Sequence, residues 1–257
     1  MGGRCKKDSY RHFPILTHRT RPDRNELMKE YPEIRKEVAD HVFCSIVPRY
    51  ASFDPAHRED HAMTVISQAM ELMDRMSEWL ERQPEEIAAQ WNTPVDREAL
   101  FIAAAYHDLG LAGGRERHHI DSGTIIRNDQ TLRRWFNEEM TEVIAQAAED
   151  HRASGKNAPR SIYGMLVAEA DRVIEGSTII RRTVQFGLTN HPELGREEQI
   201  SRAVEHLKEK YGRGGYMKLW IPWSDNAARL CELQDIIADA AAVRTATASE
   251  YDRLVRS

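Results

Sequence analysis

Apolar residues recur every three or four positions along almost the whole chain, and no window alternates with period two. This pattern predicts an all-α fold, in which each helix turns one apolar stripe toward a core. Thr93-Pro94 marks one helix start, because a capping residue precedes a proline. Gly110 marks the end of that helix. The predicted helices cover residues 24–47, 55–81, 93–110, 116–127, 130–136, 139–152, 160–186, 197–211 and 224–245.

The domain organisation predicted from this pattern is simple. Residues 1–23 are polar and basic with two prolines, which predicts a flexible N-terminal arm. The chain has no internal repeat that would divide it further. We therefore expect a single helical bundle over residues 24–190 and a helical C-terminal extension over residues 191–257 that packs on the same domain.

Composition narrows the class of protein. The chain has 257 residues, with 36 Lys and Arg against 41 Asp and Glu, so its formal charge is −5. This balance argues against dedicated nucleic-acid binding, which favours a basic surface. No segment has the ~18–20 apolar residues of a membrane span, and the first 30 residues lack the apolar core of a signal peptide. Three scattered cysteines exclude a disulfide framework and a thiolate zinc site. These features predict a cytoplasmic enzyme.

Four predicted helices carry a histidine or an aspartate on the stripe that should be buried. These residues are His61, His107, His151 and Asp171. One buried histidine is commonly a hydrogen-bonded core residue, and Asp171 alone fits an ion pair with an arginine. Imidazoles and carboxylates that converge from several helices instead favour a divalent metal ion. With Asp108 directly after His107, the set offers two imidazoles and two carboxylates and leaves positions open for water and substrate.

Three further segments support one family. His57–Val65 carries two histidines four residues apart, Tyr106–Gly110 carries the His-Asp pair, and Asp150–Ser154 contains a His-x-x-Ser sequence. Together with Glu169-Ala170-Asp171-Arg172, they resemble the HD-domain metal-dependent phosphohydrolases, named for the pattern H…HD…D. The resemblance covers about residues 50–190. Glu169 departs from the family pattern, since it stands where the family has its first Asp.

The resemblance implies an all-α fold and roles for particular residues. The metal ligands would be His61, His107, Asp108 and Asp171, and Asp108 together with His57 would serve catalysis. His57 lies one turn before His61 and would act as an acid or hydrogen-bond donor, although a plain surface role is an equal alternative. We expect site-facing roles, on a second ion or on substrate, for a further set: His118, His119 and His151. Arg152 and Lys156 are candidates for the substrate phosphate, or belong to a solvated basic rim.

The implied activity is hydrolysis of a nucleotide or another small phosphoester, as a phosphohydrolase or phosphodiesterase. Two alternatives stay open. A minority of HD-domain proteins are di-iron oxygenases with the pattern H…HD…H…H…D, for which His151 and one of His118 and His119 would supply the extra ligands. The other alternative is a non-catalytic nucleotide-binding sensor. The cofactor is one divalent ion or two, with Mn, Fe, Co, Ni, Zn and Mg all compatible with His and Asp ligands. The expected partner is a small phosphoester, with no membrane and no nucleic acid.

Overall fold

A computed structural model describes residues 31–54, 57–152 and 157–256 of the chain. The described residues contain eleven α-helices and no strand, so the predicted all-α class is confirmed. They divide into two compact units, residues 31–171 and residues 172–256, called here the N-terminal and the C-terminal unit. None of the described helices is both long and apolar enough to cross a membrane.

The N-terminal unit contains seven α-helices and several short turns of other helix types. The α-helices are α1 (Lys36–His41), α2 (Glu59–Leu80), α3 (Glu85–Trp91), α4 (Arg97–Tyr106), α5 (His118–Asn128), α6 (Glu138–Asp150) and α7 (Ile162–Asp171). A π-helical turn (Val42–Ile46) and a 3-10 helix (Val47–Ser52) follow α1, and two further 3-10 helices cover Leu109–Gly113 and Leu132–Arg134.

Helix α4 lies at the centre of this unit. The Asp96 carboxylate caps it by accepting a hydrogen bond of 2.9 Å from the amide of Ala99. Every residue from Ala99 to Tyr106 is buried, because α2, α6 and α7 all pack against α4. A helix that is apolar on all sides is stable only when it is enclosed in this way. The residues that follow α4 therefore emerge from the core of the unit.

The C-terminal unit has four helices and its own core. The helices are α8 (Gly176–Asn190), α9 (Arg196–Tyr211), α10 (Asn226–Ala238) and α11 (Ala240–Arg256). Ile180, Ile200, Leu207 and Leu233 are among the buried side chains that they share. Because α8 packs with the three helices after it, the division falls before the boundary predicted at residue 190. The domain limits stay a prediction, and the predicted arm, residues 1–23, lies outside the described residues.

Several predicted helices differ from the observed ones. The segments 160–186 and 224–245 each contain two helices, because Glu175 caps the start of α8 and Asp239 caps the start of α11 through their carboxylates. Residues 130–136 form only the short 3-10 helix, and helix α3 was not predicted. Within the predicted helix 24–47, the described α-helix begins only at Lys36. It changes to a π-helical turn at Val42.

Candidate metal centre

Six side chains from five helices of the N-terminal unit meet at one place. His61 is the third residue of α2, and His107 and Asp108 directly follow α4. The others are His118, which begins α5, His151, which follows α6, and Asp171, which ends α7. Each residue lies at or next to a helix end, so the five helices converge on the cluster by their termini.

The first half of the cluster contains His61, His107, Asp108 and Asp171. His61 Nε2 lies 3.2 Å from His107 Nε2, 3.5 Å from Asp108 Oδ2 and 3.3 Å from Asp171 Oδ1. His107 Nε2 lies 3.4 Å from Asp108 Oδ2 and 3.9 Å from Asp171 Oδ1. The donor atoms of His61, His107 and Asp108 are close enough together to hold one ion, and Asp171 Oδ1 lies within 3.9 Å of both imidazole nitrogens.

The second half of the cluster uses the other oxygen of Asp108. Asp108 Oδ1 lies 3.4 Å from His118 Nε2 and 3.3 Å from His151 Nε2. The two imidazole nitrogens are 3.2 Å apart. Asp108 is therefore shared, with Oδ2 in the first half and Oδ1 in the second, as expected of a carboxylate that bridges two ions.

Hydrogen bonds to the backbone fix the tautomers of three rings. The Nδ1–H groups of His107, His118 and His151 donate to the carbonyls of Ala104, Arg115 and Ala148 at 2.8, 2.7 and 2.5 Å. A carbonyl oxygen only accepts, so each Nδ1 carries a proton and each neutral ring presents an Nε2 lone pair to the cluster. The Nε2 atoms of His118 and His151 therefore face each other and Asp108 around either a proton or an ion, since Asp108 raises the pKa of His151 against burial. This arrangement fits a bound cation, and backbone carbonyls commonly orient metal-binding histidines in this way.

Burial and charge keep the carboxylates ionised. Asp108 is only 3% exposed, which opposes ionisation, but the neighbouring His107, His151 and His61 hold its pKa far below the ordinary value. The pKa of Asp171 is lowered against burial by His61 and His107. Conversely, burial opposes the charge on His61, but Asp108 and Asp171 raise its pKa to about 9. The cluster is thus an anionic site that holds a proton when no ion is bound.

Two residues not predicted from the sequence hold the His-Asp turn in place. The Tyr50 hydroxyl donates to the carbonyl of Ala105 at 2.9 Å and accepts from the Asp108 amide at 3.3 Å. Ser122 on α5 accepts from the amide of Gly110 at 2.9 Å. A Cβ on Gly110 would lie 2.0 Å from the His118 carbonyl oxygen, so glycine is required for α5 to approach the turn this closely. The sequence suggested only that Gly110 ends a helix.

His57 lies beside the first half, not within it. Its ring centroid is 5.5 Å from that of His61, and its Nδ1 lies 2.9 Å from the Asp54 carboxylate. The Arg115 guanidinium lies 3.0 Å from His57 Nδ1, 3.2 Å from Nε2 and 3.4 Å from Asp54 Oδ2. Asp54 and Arg115 thus form a polar group with His57 at the edge of the cluster, and Asp54 had no signal in the sequence beyond its position before His57.

The remaining predicted site residues lie apart from the cluster. His119 does not contribute to either half, and burial and Arg152 lower its pKa to about 4, so it is neutral. Among the described residues its buried Nδ1 has no hydrogen-bond partner. Arg152 donates to the carbonyl of Glu116 at 2.7 Å. Lys156 lies outside the described residues.

Comparison with known proteins finds a family match for part of the chain. Residues 58–176 match the family model described as HD domain, and the matched segment contains all six residues of the cluster. The HD-domain superfamily is composed mostly of metal-dependent hydrolases. No curated protein and no solved structure matches the chain.

Proposed function

We propose that this chain is a metal-dependent phosphohydrolase or phosphodiesterase that acts on a nucleotide or a similar small phosphoester. The observation that carries the proposal is the pair of facing Nε2 atoms of His118 and His151 beside Asp108. When both rings are neutral, a cation between their Nε2 atoms is coordinated by both. Asp108 favours positive charge at the same place, since it raises the pKa of His151 against burial. The match of residues 58–176 to the HD domain supports hydrolysis as the reaction class.

In this proposal, the two halves of the cluster hold the metal. His61, His107, Asp108 and Asp171 would bind one divalent ion, and Asp108, His118 and His151 would bind a second. A bound divalent ion lowers the pKa of water and neutralises negative charge on a phosphoryl group. The substrate is a small molecule in the cytoplasm, in keeping with the net charge of −5, since nucleic acids favour basic surfaces.

His57 has a role of its own in this proposal. His57 Nδ1 lies beside the Asp54 carboxylate, and the Arg115 guanidinium lies within 3.2 Å of both ring nitrogens. In the substrate complex we expect Arg115 to turn from the ring to the phosphate and His57 to donate a proton to the leaving oxygen. Arg115 adds a positive charge next to the same position, which favours a phosphate. His57→Ala should therefore lower turnover more than it lowers metal content.

An oxygenase activity is the second candidate. His118 and His151 complete the set of two carboxylates and four imidazoles that resembles the di-iron pattern of a minority of HD-domain proteins. A site rich in imidazole also favours iron over magnesium. This candidate differs from the first in consuming oxygen instead of water.

One experiment separates these functions. The protein is stripped with a chelator, reloaded with Mn, Fe, Co, Ni, Zn or Mg, and assayed against nucleoside phosphates, cyclic nucleotides and bis-p-nitrophenyl phosphate. We expect release of phosphate or p-nitrophenol that the chelator abolishes. Oxygen uptake by the iron-loaded protein without phosphoester cleavage would favour the oxygenase. Nucleotide binding without either reaction would favour a sensor.

A further inference from the structure

Two arginines hold the Glu149 carboxylate near the end of α6. Its side chain is 9% exposed. Oε1 accepts from Arg127 Nη1 of α5 at 2.6 Å, and Oε2 accepts from Arg160 Nη2 at 2.6 Å. Charge-assisted hydrogen bonds of this length on a largely buried carboxylate are much stronger than exposed ion pairs. Glu149 therefore joins α5 to the segment that leads into α7.

The next residue, Asp150, extends this connection. Its Oδ2 accepts from the Arg160 amide at 2.7 Å, and its Oδ1 accepts from Arg160 Nε at 3.0 Å. Arg160 stands just before α7, which ends in Asp171. The two carboxylates thus connect three helices that each supply a side chain to the cluster: His118 from α5, His151 from α6 and Asp171 from α7.

Glycines on the neighbouring helices make room for both carboxylates. A Cβ on Gly123 of α5 would lie 2.4 Å from Glu149 Oε1. A Cβ on Gly164 of α7 would lie 3.0 Å from Asp150 Oδ2. The helices therefore pack closely at these two carboxylates, which makes the spacing between α5 and α6 sensitive to the size and charge of residue 149.

The same helical turn orients His151. The Ala148 carbonyl accepts from His151 Nδ1, and Glu149 and Asp150 lie between these two residues. A shift of this turn moves the His151 ring relative to His118, whose Nε2 is 3.2 Å away. The His118–His151 distance is thus set by residues that do not touch the cluster themselves.

We propose that Glu149 is a positioning residue for the second half of the cluster, acting through the orientation of His151 relative to His118. This inference rests on the proposed metal-binding function. It assigns Arg127 and Arg160 the role of holding Glu149, not of binding substrate phosphate. The first half depends less on Glu149, because His61 and His107 belong to α2 and α4, and Asp171 lies at the end of α7 that is farther from Arg160.

Glu142 provides a matched control. It lies on the same helix, also binds Arg127, through Nε at 2.7 Å and Nη2 at 2.9 Å, and is 45% exposed. Glu142→Gln also removes one negative charge that is bound to Arg127. Residue 142 lies nine residues before His151, so this change is far from the ring. Glu149→Gln keeps the size of the side chain but leaves only one oxygen to accept from two guanidinium groups.

The test is titration of both chelator-stripped variants with Mn²⁺ and Co²⁺ by calorimetry, with circular dichroism and thermal unfolding to verify folding. We expect Glu149→Gln to bind the second ion about tenfold more weakly, the lower end of the 10–100-fold effects of residues that support ligands. The Kd of the first ion in Glu149→Gln should stay within about twofold of its value in the original protein. The same should hold for both Kd values in Glu142→Gln. Arg160→Lys should retain part of the second-ion affinity that Arg160→Ala loses.

A second measurement does not need the metal. Long-range ¹H–¹⁵N spectra of the imidazoles, assigned with His118→Ala and His151→Ala, should change in Glu149→Gln and not in Glu142→Gln. Unchanged ring spectra and ion affinities in Glu149→Gln would overturn the inference, as would an equal loss of both ions. Absence of any metal binding by the original protein would instead refute the proposed function, and the ring spectra would still decide the role of Glu149.

Discussion

The two halves of the cluster share Asp108 but differ in how many carboxylates surround their imidazole nitrogens. The first half has two carboxylates around His61, and the pKa of His61 is raised to about 9, so a proton can occupy this half when no ion is bound. The second half has two imidazoles with fixed tautomers and only the shared carboxylate. Burial lowers the pKa of His118, whereas Asp108 raises the pKa of His151 against burial, so His151 is the ring that can hold a proton in this half.

This difference indicates how the halves depend on an ion. The first half surrounds an ion or a proton with two carboxylates. The second half has two imidazoles and only one shared carboxylate, so it supplies less negative charge to a bound cation. Its higher share of nitrogen donors also favours Zn, Fe or Ni, whereas the two carboxylates of the first half suit Mn or Mg better.

Asp108→Asn should have the largest effect, because it removes the one charge that both halves share. The amide keeps the size of the side chain but offers a single acceptor oxygen. We expect both ions to bind more than about 100-fold more weakly, beyond the range for residues that only support ligands, and hydrolysis to be lost. Metal analysis after dialysis measures the effect. Asp60→Asn, an exposed neighbour of His61, is the control, and normal metal content in Asp108→Asn would contradict the assignment.

A pair of variants should separate the halves. Asp171→Asn removes a carboxylate of the first half only, and His118→Ala removes an imidazole of the second half only. Each variant should retain one ion per chain with its helical content unchanged, since neither side chain supports the apolar core. Calorimetric stoichiometry measures this outcome. If both variants lose both ions together, the halves do not act as separate binding sites.

Gly110→Ala should affect the second half more than the first. The added methyl group would lie 2.0 Å from the His118 carbonyl oxygen and 2.6 Å from the Ser122 amide, so α5 must move away from Asp108. We expect a destabilisation of about 1–3 kcal/mol, as for other overpacked positions, and weaker binding of the second ion. Chemical denaturation and calorimetry measure the two effects. Gly214→Ala, where a Cβ meets no atom within 4 Å, should change neither.

The sequence predicted the members of the cluster better than their supports. Buried polar residues such as His61, His107 and Asp171 are detectable because they stand at apolar positions of a helical repeat. Periodicity does not decide between adjacent residues near a helix start, so His118 and His119 were not distinguished. In the structure His118 belongs to the cluster. The Arg115 carbonyl, just before α5, accepts a hydrogen bond from the His118 ring and orients its Nε2 toward Asp108.

The interruptions of the helices were not predictable from the apolar pattern. Ile174 stands three residues after Asp171, so the spacing suggested one continuous helix. The structure ends α7 at Asp171 and begins α8 with a Glu175 cap. Tyr50, Ser122 and Glu149 act through contacts across 12 to 58 residues of chain. A single sequence contains no signal for such distant pairs, since their side chains are ordinary for their local elements.

The smallest predicted effect is a pH dependence of stability to which His61 of the first half contributes. In the metal-free protein the pKa of His61 is about 9, above its ordinary value of 6.5. The stabilisation from its proton is therefore complete below pH 6.5 and is lost as the pH rises through 9. Thermal unfolding of the chelated protein should show the melting temperature falling over this interval, and His61→Gln should flatten the profile. His119→Gln should not, because the pKa of His119 is about 4 and this ring stays neutral throughout. An unchanged slope in His61→Gln would place the proton on another ring of the cluster, such as His151, whose pKa Asp108 also raises.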